Sequence, residues 1–477
     1  MTSGQLALFN ADAFPEPEPC GTTVVSWGLG ADSTAIILRF LENPTAYGLR
    51  ADLSDLIVIT AHTGMEWPDS IALAEQHVLP LLRAHRVRYV QIARGGASIA
   101  QCGVEVLSDT RSPTRIHASG RWSLLLDLRE SGTVPMYGGA RLCSVRAKGE
   151  PLDLWFAQNM ADPYRHVVGF EHGELGRARV DSSFAKPGRR PWYPLINWTW
   201  DRPRLLAYLE DRLGVLYPKS FCWACPYPVS AGSLPDHMAR SKRFPAQIAE
   251  AAMLEYTAQA LNPLFTLYAK SSLREELHRA GNTAALDLLA HRLDTEPWSV
   301  YEVRRVLTPG RSDHCKLWHG LRCALCLKLA ENAAVLPSEW ARCKDCQTIR
   351  GHRCQRRDPL CSDSERKGTI WRSVRRVGTL TRRQACGSLE RFASRPGREL
   401  EHTASGVPGY AFGFDRLVTV QRGGSFPAVE RQFVAAPAAV PSKARGGFET
   451  AWRSAAGLAA AAAAAGERSA EGLLTGV

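Results

Sequence analysis

The sequence predicts an α/β fold built on a parallel sheet, and three observations carry that expectation. Short apolar, β-branched runs occur at Thr22–Ser26, Leu56–Thr60 and Tyr89–Ile92. Segments of helical period, Ala35–Leu41 and Ile71–His85, separate them. Strands and helices alternating in this way place the strands side by side and the helices on the faces of the sheet. A fourth strand is expected at His166–Gly169 and a helix at Arg204–Leu213, while the pattern from Pro235 to Arg292 is helical throughout. Trp192, Trp198 and Trp200 read as core residues. The expected order is a flexible leader over 1–21, the α/β domain over 22–230 and a helical subdomain over 231–309. A basic, Cys-rich segment over 310–365 and a basic, then low-complexity tail over 366–477 complete it, the last residues disordered.

Composition narrows the class. The chain has 477 residues, 45% of them hydrophobic and 22% charged, which is globular and long enough for more than one domain. No apolar run reaches the roughly 20 residues that span a bilayer, so no membrane partner is expected. Of the net charge of +12, most lies between Tyr301 and Gln384, where 19 Lys/Arg face 8 Asp/Glu, an excess of 11. Such a patch suits a nucleic acid, or serves solubility alone. Thirteen cysteines, several in C-x-x-C pairs, with no basic-then-apolar leader, point to metal or redox chemistry and a cytoplasmic setting.

The chemistry begins at "VVSWGLGADSTAII", Val24–Ile37. Gly28 and Gly30 let the backbone approach an anion. Ser33 and Thr34 offer hydroxyls, and the following helix supplies free N–H groups and a partial positive charge. The segment is neither a Walker A loop nor a dinucleotide fingerprint. Asp32 would repel a phosphate unless a cation such as Mg²⁺ lies between them. A tight turn with Asp32 and Ser33 as helix caps is the plainer reading.

The stretch resembles the pyrophosphate loop of the ATP pyrophosphatase (PP-loop) superfamily, Ser-Gly-Gly-x-Asp-Ser. Gly28 stands at the usual Ser and Leu29 at the first glycine, with Ser26 two residues earlier. Further segments are similar to the adenylyl-sulfate and phosphoadenylyl-sulfate reductase branch. "ITAHTGMEWPDS" resembles its second-strand motif, and "RLCSVRAKGEPLDLWF" its Arg-x-Cys-x-x-x-x-Lys segment. "VVGFEHGELGRARV" resembles its arginine segment, and the tract from "WYPLINW" to "FCWACPY" its late Trp and C-x-x-C region. The likeness covers roughly Val24 to Pro228.

The resemblance implies an adenine nucleotide alpha hydrolase-like (HUP) domain that binds ATP with Mg²⁺. It implies nucleotide contacts at Ser26, Gly28, Gly30, Asp32, Ser33, Thr34, His62, Thr63, Gly64 and Arg141, and catalytic roles for Asp32, Lys148 and Arg177. In adenylyl-sulfate reductases a Cys-Cys pair and a distant Cys-x-x-Cys hold a [4Fe–4S] cluster. Here Cys143, Cys222 and Cys225 match, with Ser144 where a second cysteine would stand. A zinc site, or free thiols, are the rivals.

A second set stands on spacing alone. Cys323 and Cys326 are followed, after sixteen residues, by Cys343 and Cys346. Four thiolates so arranged make a tetrahedral Zn²⁺ site of zinc-ribbon type, which binds nucleic acid or is structural. The segment lies between two echoes, "YEVRRVL" and "WRSVRRVG".

The expected function is cleavage of ATP to AMP and pyrophosphate, activating a substrate in sulfur transfer, with nucleic acid as a candidate acceptor. Two alternatives stay open. One is a sulfonucleotide reductase releasing sulfite, although the family's Glu-Cys-Gly-Leu-His motif is absent and only Cys386 offers a Cys-Gly. The other is a nucleic-acid-binding zinc ribbon with a degenerate nucleotide site.

Overall fold

The computed structural model describes residues 14–137, 141–160, 163–184, 186, 188–229, 232–268, 270–311, 362–395, 398, 400–420 and 428–457. The chain divides into two compact units, Met1–Glu255 with Leu264–Leu289, and Tyr256–Pro263 with Ala290–Val477.

The first unit is α/β with a mixed, mostly parallel sheet of Rossmann-like type. Its elements begin β1 (Thr22–Ser26), α1 (Ala31–Glu42) and β2 (Leu56–His62). A helix then runs as α2 (Pro68–Leu73), a π turn, and α3 (Leu79–Ala84), before β3 (Arg88–Arg94). Next come α4 (Ile99–Cys102), β4 (Val104–Thr110), α5 (Leu124–Ser131), α6 (Leu142–Ser144), a π turn over Val145–Gly149, and α7 (Glu150–Asn159). After these stand β5 (Tyr164–Val168), α8 (Leu175–Ser182), β6 (Arg189–Trp192), α9 (Pro194–Asn197) and α10 (Arg202–Leu213). Helices α11 (Leu234–Arg243), α12 (Pro245–Leu261), α13 (Leu273–Arg279) and α14 (Thr283–Thr295) follow.

The strand order is β4-β3-β2-β1-β5-β6. From β1 the chain builds outward through β2 and β3, then returns to the other side of β1 as β5. The strand order therefore reverses between β1 and β5, where open α/β sheets bind ligands at the carboxyl ends. Alternating side chains on the strands feed two cores. Val25, Val58, Tyr89 and Val167 pack with α1 and with Leu205 and Leu209 of α10. Val24, Ile57, Ile59, Val90 and Ile92 pack on the other face with Trp155 and Phe156 of α7. Burial on both faces explains why β2 reads as one continuous apolar run.

Several expectations change. The sheet is not wholly parallel, because β4 runs antiparallel to β3. The link between them is a tight reversal with Gly95 N–H donating to Gly103 O at 2.9 Å, too short for a crossover. Within the expected leader, Phe14 is anchored on the domain, while residues 15–21 are mostly exposed. Phe14 is buried with Tyr193 and Ile196, and its carbonyl accepts from Asn197 at 2.7 Å. The helices from 231 onward do not form a body of their own but divide between the two units.

The second unit carries a six-stranded antiparallel sheet where a low-complexity tail was expected. It comprises β7 (Trp298–Arg311), β8 (Ser362–Leu380), α15 (Arg382–Ala393), β9 (Leu400–Thr403), β10 (Phe414–Val420), β11 (Ala428–Pro437) and β12 (Lys443–Ala444). The order is β12-β8-β7-β11-β10-β9. The two sequence echoes are partner strands, with Val303 opposite Val374 and Arg305 opposite Arg372. Glu302 sits between Arg375 and Arg431, each 2.7 Å away, and Arg305 meets Glu430 at 2.8 Å. Arg304 pairs with Glu449 at 3.0 Å and Arg382 with Asp294 at 2.7 Å. Much of the basic charge that the described residues contribute to 301–384 is therefore matched within the unit. Cys323, Cys326, Cys343 and Cys346 lie outside the described residues, as do the last residues of the tail. Among the described residues no helix is long and apolar enough to cross a membrane.

In the first unit, Glu255 is buried on α12 and joins two loop positions. Its carboxylate oxygens accept from Leu267 N and Leu273 N, both at 2.7 Å. Glu255→Gln sets an amide N–H against one of these donors. We expect it to cost about 1–3 kcal/mol in denaturant unfolding; an unchanged midpoint would contradict this account.

Candidate functional site

The segment that leaves β1 turns sharply at the sheet's switch point. Leu29 adopts the left-handed conformation, φ 57°, in the slot the resembling family gives to its first glycine. A residue with a Cβ pays roughly 1–2 kcal/mol there, and burial of the Leu29 side chain in the core works against that cost. Gly30 precedes the first turn of α1 and packs under Ser220; a Cβ at Gly30 would stand 2.6 Å from Ser220 Oγ. Across the switch point, Gly169 follows β5. A Cβ there would come within 2.8 Å of Ser33 N and 3.1 Å of the Asp32 carbonyl carbon.

These segments line a cavity of about 390 Å³. It gathers Ser26, Gly28, Gly30, Asp32 and Ser33 from the loop and Thr63 from the end of β2. Arg141, Lys148 and Arg177 line it as well, together with Cys143, Cys222 and Cys225. Residues from five separate stretches of sequence thus meet in one place.

Inside it, Ser33 Oγ accepts from Gly28 N at 3.3 Å. Asp32 is partly buried and meets Arg202 at 3.2 Å. Burial pushes its carboxyl above the usual carboxylate range, Arg202 pulls it back, and Glu174 adds to the rise. Arg141 lies over the Tyr227 ring at 4.1 Å. Arg177 pairs with Glu174 at 2.5 Å and covers Phe170. Arg141 and Lys148 have no ion-pair partner among the described residues, and they share the cavity lining with the carboxylates of Asp32 and Glu66.

Three expected nucleotide contacts do not line it. Thr34 is buried, donates to Gly30 O at 2.7 Å and accepts from Trp27 Nε1 at 3.0 Å. Its hydroxyl is spent on tying the loop to α1. His62 is buried against Gln91, 3.0 Å away, and desolvation holds its pKa below the usual histidine value. Gly64, at φ 77°, packs against Ser123. The backbone N–H groups of Thr63, Gly64 and Met65 are occupied by the Glu66 carboxylate at 2.9–3.1 Å.

The thiols are close but unequal. Cys222 donates to Cys225, which raises Cys222 well above the usual thiol value, with burial adding, and lowers Cys225. Burial pushes Cys143 up. Among the described residues no group of three or more His, Cys, Asp or Glu side chains is placed to hold a metal ion. Cys386 is half-buried on α15 of the second unit.

Sequence reasoning missed Trp67, Ser220, Phe221 and Tyr227, which complete the cavity wall. It also missed His166 behind Ser26. Ser220, Phe221 and Tyr227 flank the C-x-x-C and Trp67 lies in a quoted motif, but nothing local announces that they face inward. No family model matches the chain, and no curated protein or solved structure matches it.

The contact between Gly169 and the α1 backbone gives a direct test. Gly169→Ala must displace main chain, and overpacking of this kind costs about 1–3 kcal/mol. Gly28 has nothing within 4 Å of an added Cβ. Gly28→Ala should leave the unfolding midpoint near that of the unmodified chain. Equal midpoints for the two variants would refute this account of the switch point.

Proposed function

We propose that the chain is a PP-loop-type enzyme that cleaves ATP to AMP and pyrophosphate to activate a second substrate for sulfur transfer. The observation that carries this reading is the single cavity at the β1/β5 switch point. There a loop at a helix start, the Asp32 carboxylate and two cations without an ion-pair partner among the described residues stand with three thiols, while the second carboxylate, Glu66, is taken up by the Thr63–Met65 backbone N–H groups. Helix starts and cations favour an anion, and the switch point is where such sheets take nucleotides.

The residues fit ATP with Mg²⁺ in a limited sense. Mg²⁺ is commonly bound through one or two carboxylates plus substrate phosphates. Asp32 supplies one carboxylate in an environment that already disfavours its charge. Bound Mg²⁺ would neutralise phosphate charge and polarise the reacting phosphorus. The Gly28–Gly30 backbone and Ser33 would cradle the outer phosphates. Lys148 and Arg141 would offset charge on the pyrophosphate as it leaves or on the second substrate. Arg177, already held by Glu174, would border the acceptor side. No step of this reaction runs through an iron–sulfur cluster.

Asp32→Ala should abolish pyrophosphate release from ATP while cooperative unfolding is kept. Lys148→Met should weaken the phosphate-bearing substrate about 10- to 100-fold, the worth of a hydrogen bond to a charged group. Both are read by a coupled pyrophosphate assay across candidate acceptors. Release that survives Asp32→Ala would sink the proposal.

A further inference from the structure

Ser26 ends β1 and is held from behind by a chain of buried polar groups that the reaction above does not use. Its hydroxyl oxygen lies 2.8 Å from His166 Nε2. On the far side of the ring, Arg189 Nε donates to His166 Nδ1 at 2.7 Å. A guanidinium has only donors and keeps its protons in a folded protein. Nδ1 is therefore bare, and the neutral ring carries its proton on Nε2. Burial supports the neutral form by holding the imidazole well below its usual pKa, with the nearby Arg189 and Lys186 charges adding to the effect. Arg189 is itself fixed by Asp181 at 2.5 Å, and Asp181 also accepts from the Tyr193 hydroxyl at 2.7 Å. Phe156 stands edge-on to the imidazole, with 4.7 Å between ring centroids.

The direction of these bonds decides what Ser26 can do. A general base must turn an unprotonated nitrogen, with its lone pair free to accept, toward the hydroxyl it activates. His166 turns an N–H, so Ser26 is not a nucleophile of the Ser–His kind. A hydroxyl oxygen that accepts from Nε2–H still has its own proton to give. Ser26 lines the cavity and has no further partner among the described residues.

We propose that His166, locked by Arg189, is a positioning residue that makes the Ser26 hydroxyl a committed donor to the anion bound at the switch point. The arrangement supplies the loop with a side-chain donor although Gly28 occupies the serine slot of the pattern it resembles. This inference rests on the anion-binding reading proposed above and names a positioning residue of that same site.

The test is calorimetric titration of the full chain with inorganic pyrophosphate and Mg²⁺. Ser26→Ala should weaken binding about 10- to 100-fold, as expected for losing a hydrogen bond to a charged group. His166→Phe should weaken it comparably, and the double variant should be no weaker than Ser26→Ala alone. His166→Gln keeps an N–H for Ser26 and an oxygen for Arg189, so it should restore most of the affinity. Nitrogen-15 NMR of the unmodified chain should show His166 protonated on Nε2 and bare on Nδ1. Additive losses in the double variant, unchanged binding by Ser26→Ala, or a proton on Nδ1 would each overturn the inference. Should His166→Phe not fold, Ser26→Ala and the tautomer decide the question by themselves. Failure of the unmodified chain to bind pyrophosphate would remove the proposed function as well. Binding that Ser26→Ala leaves unchanged would remove this inference alone.

Discussion

The first turn of α1 can stand in only one place, and the architecture around the cavity follows from that. Thr34 ties it back to Gly30 and to the Trp27 indole. From the side, Gly169 brings the end of β5 against the Asp32 and Ser33 backbone at a separation no side chain would permit. A strand order that reverses between β1 and β5 leaves a crevice at its carboxyl edge. The close glycine contact narrows that crevice until loop, helix start and β5 share one wall. The loop is thus shaped by packing from two directions, through Thr34 on one side and Gly169 on the other.

The sequence disclosed elements whose apolar period is undiluted. Strands β1, β2, β3 and β5 are buried on both faces and each carries a short apolar, β-branched core, nearly continuous in β2 and broken by Gln91 in β3 and by Arg165 and His166 in β5, and α1 and α10 carry clear helical stripes. Strand β4 escaped because it is a half-exposed edge behind a tight reversal. Strand β6 escaped because Pro191 sits within it, a residue tolerated at a sheet edge but not suggestive of a strand. In the second unit, Arg304, Arg305 and Arg375 interrupt the hydrophobic alternation of β7 and β8. Their charges are answered by Glu449, Glu430 and Glu302, partners distant in the chain. A string of arginines that looks like a surface patch is in part the interior bookkeeping of a sheet.

The cavity was legible in its segments and less so in its atoms. Motif spacing brought the right stretches together, but side-chain direction is settled by neighbours outside the motif. Thr34 and His62 sit one position from residues that line the cavity, yet both point into polar contacts of the core. His166 lay in a segment read only as a strand, and its importance appears once Ser26 and Arg189 are seen on either side of the ring. The Cys222–Cys225 pair was visible as a motif, while the asymmetry between its two sulfurs depends on burial and on which thiol donates.

The β7–β8 pairing carries one more implication. Arg311 and Ser362 are partners on the last rung of that ladder. The end of β7 and the start of β8 therefore stand at neighbouring points, roughly 5 Å apart for paired strands. The entropy of holding those points together falls on the stem, and it rises only slowly with the length of chain between them. The pairing of β7 with β8 thus bears a closure cost that the two strands must meet from their own ladder, an anchorage set by the rungs between Trp298 and Arg311.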